Sequence, residues 1–130
     1  MSVAVRYYSR SGNTKAVADA IAKAAGVPAV SVDAADAAIA EPVDVLFIGG
    51  ALYAYGLDKR LKAYLQAMPK GMVKKAVVFS TSAISKHSIE LIKKGLSEKD
   101  IPVEEEAFYV KSKPDAGQLA EAEAFAKKYI

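Results

Sequence analysis

Residues 9–14 read SRSGNT, and they stand where the apolar run VAVRYY at 3–8 gives way to TKAVADAIAKAAG at 14–26. The run is short, apolar and rich in β-branched and aromatic residues, as in a strand buried on both faces. In the segment that follows, Val17, Ile21 and Ala24 recur at helical spacing. A turn from strand to helix needs only Gly or Asn. This one also carries Ser9, Arg10, Ser11 and Thr14 around Gly12 and Asn13. Successive backbone N–H groups leading into a helix N-terminus, with hydroxyl and amide donors that bring no negative charge, make an anion cradle suited to a phosphate monoester. The same residues also serve as an Asn/Thr helix cap with incidental serines. G-x-G-x-x-G and G-x-x-x-x-G-K-[ST] are both absent, which excludes a Rossmann dinucleotide site and P-loop ATP hydrolysis.

The same alternation continues outward from this stretch. Apolar runs at 43–48, 76–79 and 107–110, and a weaker one at 29–32 after Pro28, read as further strands. Helical spacing joins Leu61, Tyr64, Leu65 and Met68 within 58–68, closed by Pro69, and Ile89, Ile92 and Leu96 within 88–96. It also joins Leu119, Ala122, Ala126 and Tyr129 within 115–129, while a helix within 33–39 is only faintly marked. Strands alternating with helices predict an α/β fold, a doubly wound three-layer sandwich around a parallel sheet. In such sheets ligands bind outside the carboxyl ends of the strands. Three loops meet there: SRSGNT, then GGALYAYG at 49–56, then STSAISKHS at 80–88.

At 130 residues, with no repeat and no linker, residues 1–130 form one predicted domain. The chain is 52% hydrophobic and 25% charged, the balance of a globular protein. It has no cysteine and a single histidine, which excludes disulfides, thiolate zinc sites, cysteine-ligated iron–sulfur clusters and cysteine nucleophiles. Any redox chemistry must therefore be carried by a bound group. No run reaches the roughly 20 apolar residues of a membrane span, and a cytoplasmic location is expected. The net charge is +3, but the lysines are dispersed, so no nucleic-acid partner is expected. His87 reads as a solvated loop histidine and Glu104, Glu105 and Glu106 as an exposed run; no metal site is expected.

Ser9-Arg10-Ser11-Gly12-Asn13-Thr14 resembles the flavodoxin phosphate loop, [ST]-x-[ST]-G-N-T, placed after the first strand as in that family. The resemblance covers most of the chain and implies a five-stranded parallel sheet in the order 2-1-3-4-5. Gly49-Gly50-Ala51-Leu52-Tyr53-Ala54-Tyr55-Gly56 is similar to the loop after strand three, with Tyr53 at the position of an aromatic that stacks on the flavin. The implied cofactor is FMN, bound noncovalently. Its phosphate would lie in the Ser9–Thr14 loop, with Arg10 balancing its charge. Its ring would lie between Ala51, Leu52, Tyr53, Ala54, Tyr55 and Gly56 on one side and Ser80, Thr81, Ser82, Lys86 and His87 on the other. The implied function is electron transfer to a redox partner protein or a small quinone-like acceptor. An FMN-dependent oxidoreductase and a phosphate- or ligand-binding module on the same fold are the alternatives. The chain departs from the family pattern in three ways. Ala51 and Leu52 replace the usual Pro or Thr, residues 80–87 carry no aromatic anchor, and the overall charge is basic. The 80–87 loop is accordingly expected to be mobile. Arg10, Lys86 and His87 are expected to favour the reduced, anionic flavin.

Overall fold

The fold is described from a computed structural model, for residues 1–53, 56–82 and 85–130. Chain order is β1 (Val3–Tyr7), α1 (Asn13–Ala25), β2 (Ala29–Ser31), β3 (Val45–Gly50), α2 (Lys59–Ala67), β4 (Ala76–Thr81), α3 (His87–Ser97), β5 (Phe108–Val110) and α4 (Ala116–Lys127). The strands form one five-stranded sheet in the order β2-β1-β3-β4-β5, and every pairing is parallel.

The continuous apolar runs occupy the centre of the sheet because both faces are covered. Every residue of β3 and β4 is buried. Alternate side chains divide between two cores. On one face Val5, Phe47, Val77 and Phe79 meet Val17 and Ile21 of α1 and Ala122 and Phe125 of α4. On the other, Leu46, Ile48 and Val78 meet Leu61 and Leu65 of α2 and Ile92 and Leu96 of α3. At about 25 cal/mol per Å² of apolar surface removed from water, these two cores are the main drive to fold.

The carboxyl ends of the central strands are level. Tyr7 pairs with Gly49 and Gly49 with Phe79, which delivers the three expected loops to one edge. Gly49 and Gly50, read from sequence as loop, instead complete β3 between two neighbours, and Ser80 and Thr81 likewise complete β4. Gly49 is required by close approach: a Cβ there would lie 2.4 Å from the Phe79 ring.

The faint helix within 33–39 does not form; turns occupy that crossover. The carbonyl of Ala37, which a helix would use internally, accepts instead from Arg6 Nε at 2.7 Å and Tyr64 Oη at 2.5 Å. Tertiary contacts hold so short a segment where helix nucleation alone would not. The acidic run before β5 is not simply solvated either. Glu104 lies 3.5 Å from Lys75, and Glu106 accepts from Tyr129 Oη at 2.7 Å and pairs with Lys128 at 2.6 Å.

Candidate functional site

The loop from β1 to α1 ends on Gly12, whose φ of 93° opens the helix; a Cβ there would meet nothing within 4 Å, so conformation and not space calls for glycine. Gly12 is the residue at the cap position and offers no side chain to cap α1. Ser9 Oγ accepts from Gly12 N–H at 3.0 Å and Ser11 Oγ from Asn13 N–H at 3.5 Å. The N–H groups of Thr14 and Lys15 have no hydrogen-bond partner among the described residues. A left-handed glycine, two hydroxyls and two N–H groups without partners among the described residues, at the positive end of a helix dipole, are donors that could serve an anion. Thr14 differs from its neighbours: it is buried, and its hydroxyl lies 2.7 Å from that of Thr81.

Arg10 turns away from this loop. Its Nε and Nη2 donate to Asp58 Oδ2 at 3.0 and 2.6 Å, and its guanidinium lies 3.8 Å from the centroid of the Tyr53 ring. Its backbone N–H reaches Tyr53 Oη at 3.3 Å. Asp58 is buried and caps α2, accepting from Arg60 N–H at 2.8 Å, and Arg60 in turn donates to Tyr8 Oη at 2.8 Å. Burial pushes the Asp58 carboxyl up, but the Arg60 N–H and the Arg10 guanidinium outweigh it and hold the group below its ordinary value. The sequence expectation assigns Arg10 to a bound phosphate; here a buried carboxylate holds the guanidinium. The loop closes where Tyr53 and Gly56 exchange backbone hydrogen bonds of 2.8 and 2.9 Å. Ala51 and Leu52 are half-buried; Ala54 and Tyr55 lie outside the described residues.

The third loop begins deeper than expected. Ser80, Thr81 and Ser82 are buried. Ser80 Oγ donates to the Gly50 carbonyl at 2.7 Å and lies 2.6 Å from Ser88 Oγ, so its hydroxyl links β3, β4 and α3. The carbonyl of Ser82 accepts from Tyr109 Oη. Mobility of the whole 80–87 segment is thus not what the structure places here: its first three residues are tied into the sheet. Lys86 Nζ sits 5.3 Å from the Tyr109 ring, and exposed His87 starts α3 with its Nδ1 3.1 Å from Glu90. Arg60 and Tyr109 escaped the sequence reading because α2 and β5 bring them to these loops from far along the chain; Tyr8, next to Ser9, read only as the aromatic end of the first apolar run.

A cavity of about 400 Å³ opens beside Tyr53, bordered by Arg10, Gly56, Leu57, Asp58 and Arg60. That volume lies within the usual range of small-molecule sites.

Comparison with known proteins bears on the fold that carries these loops. The structure is similar to that of a flavodoxin from the domain Archaea, with 23% identity, a TM-score of 0.79 and coverage of 99% of this chain and 96% of that one. It is also similar to oxidised flavodoxin 1 from Bacillus cereus, at 20% identity and a TM-score of 0.81, covering 99% of this chain and 97% of that one. A short-chain flavodoxin associated with a non-canonical PDU bacterial microcompartment matches at 16% identity and a TM-score of 0.80, again covering 99% and 97%. A search of curated proteins finds no significant match. The sequence profile of the flavodoxin domain matches residues 4–113, and the chain belongs to the flavodoxin domain family.

Proposed function

We propose that this chain binds FMN noncovalently and acts as an electron carrier. The observation that carries the reading is the start of α1, where Gly12 is left-handed and the Thr14 and Lys15 N–H groups lack partners among the described residues. Ser9 and Ser11 would add hydroxyl donors to the terminal phosphate, and charge-assisted hydrogen bonds of this kind are the strong ones. Ala51, Leu52 and Tyr53 would border the ring, and Ser82, Lys86 and His87 would border it from the other side. The Tyr53 face against which Arg10 lies is closed to a flavin while the Asp58 pair is made. When bound, FMN supplies the redox chemistry; the protein binds, orients and tunes it.

Ser80 and Thr81 enter the reading as supports. Their hydroxyls are turned to Gly50, Ser88 and Thr14. They brace the strand end from which the third loop departs.

The visible spectrum of the purified protein, with and without added FMN, tests the proposal. A blue-absorbing, stoichiometric flavin supports it; a preparation that stays colourless with added FMN makes the chain a binding module instead. Turnover of reduced nicotinamide with a quinone by the FMN-loaded protein would favour the oxidoreductase, and a carrier shows little.

A further inference from the structure

The excess positive charge is not spread evenly over the two helical layers. Helices α2 and α3 carry Lys59, Arg60, Lys62, Lys93 and Lys94 against Glu90 alone. Helices α1 and α4 balance Lys15, Lys23 and Lys127 with Asp19, Glu121 and Glu123. The basic layer is also the one with an open groove. Between α2 and α3 lies a depression of about 510 Å³, floored by Leu57, Leu65 and Leu91 and rimmed by Lys62, Lys94 and Lys99. None of these lysines makes an ion pair among the described residues. Glu98 is the one carboxylate among the described residues of the lining. One end of the groove is Gly56 and Leu57, which also border the cavity beside Tyr53.

From these observations we infer that the α2–α3 groove is the docking surface for an acidic redox protein. The inference rests on the electron-carrier reading above. The partner would place an apolar side chain over Leu57 and Leu91, with carboxylates on Lys62, Lys94 and Lys99. An apolar anchor ringed by charge is the usual anatomy of such an interface. A layer of net positive charge also steers an oppositely charged protein during encounter. Because the groove ends on the Tyr53 loop, a partner seated there lies beside the proposed flavin. The leucine floor suits an apolar protein side chain better than a nucleic-acid backbone, which would use the lysines alone.

The test uses an acidic iron–sulfur ferredoxin as the probe, added to the isotopically labelled, FMN-supplemented protein at about 20 mM and about 200 mM salt. Paramagnetic broadening should fall on the amides of Leu57, Leu91 and Gly95, and binding should weaken at least about tenfold at the higher salt. Two double variants of equal net charge separate the groove from the overall charge. Lys62→Glu with Lys94→Glu should weaken binding by about tenfold or more, and Lys23→Glu with Lys127→Glu by less than about twofold. Equal effects of the two variants, broadening on the α1–α4 face, or no saturable binding would overturn the inference. So would tighter binding of citrate or of a single-stranded oligonucleotide to the same amides. Amide mapping proceeds whether or not the protein turns yellow, so failure of docking and failure of FMN binding are read independently.

Discussion

Thr14 and Thr81 share a hydrogen bond of 2.7 Å inside the wall of the site, and both are buried. Removing one hydroxyl strands the other, and an unsatisfied buried polar group costs about 1–3 kcal/mol. Thr14→Val, close in shape, should therefore lower unfolding stability by about 1–2 kcal/mol in a denaturant titration, whereas Thr14→Ser should recover most of the loss. If FMN affinity falls and stability does not change, Thr14 faces the ligand and not Thr81. Asp58 offers a second test. Its carboxyl is held below the ordinary value in the folded protein, so its contribution is present above about pH 4 and is lost as pH falls through the folded value. Asp58→Ala removes both the α2 cap and the Arg10 partner and should cost about 1–2 kcal/mol, most of it the cap, because Arg10 is half-exposed and its pair is screened. Asp58→Asn should cost less and flatten the acid side of the stability profile; an unchanged profile would contradict the pairing.

At the level of elements, the strand ends separate residues that hold the site together from residues that face it. Ser80 pairs in register with Gly50 and Tyr109, and the Ser82 N–H donates to the Val110 carbonyl at 3.2 Å. In hydrogen exchange, the Ser80–Ser82 amides should be protected in the cofactor-free protein, while Thr14 and Lys15 should gain protection when FMN is added. Exchange at Ser80–Ser82 as fast as at exposed Ser85 and Lys86 would contradict these pairings. The central strands and all four of these helices were legible in the sequence because apolar runs and helical spacing survive without long-range information. The ends of β3 and β4 were not, since Gly49 and Ser80 read locally as loop and become strand only through neighbours on both sides. The crossover at 33–39 misled in the opposite direction: its alanines favour helix, but the Ala37 carbonyl is claimed by Arg6 and Tyr64.

For the whole molecule, the electrostatics of the site differ from what residue counting implies. The sequence places Arg10, Lys86 and His87 near the flavin, but Arg10 is paired with Asp58 and His87 is beside Glu90. Such pairings join residues far apart in the chain or set by side-chain geometry, so only the fold reveals them. Lys86 remains, with no ion pair among the described residues. One uncompensated charge near the ring contributes on the order of 1 kcal/mol, or about 40 mV per one-electron step, before salt screening. Lys86→Glu should thus lower the flavin midpoint potential by several tens of millivolts, and Asp58→Asn, which releases Arg10, should raise it; spectroelectrochemistry reads both. No shift in either variant, or a rise with Lys86→Glu and a fall with Asp58→Asn, would mean that local charge does not tune this site.

The proposed phosphate cradle at the start of α1 would distinguish FMN from riboflavin, which carries the same ring without the phosphate. Two charge-assisted hydrogen bonds at about 1.5 kcal/mol each amount to about a hundredfold in affinity. The direct measurement is a side-by-side titration of the cofactor-free protein with FMN and riboflavin, followed by quenching of flavin fluorescence. One FMN should bind per chain and riboflavin about a hundredfold more weakly; equal affinities, or no quenching by either flavin, would rule out the cradle.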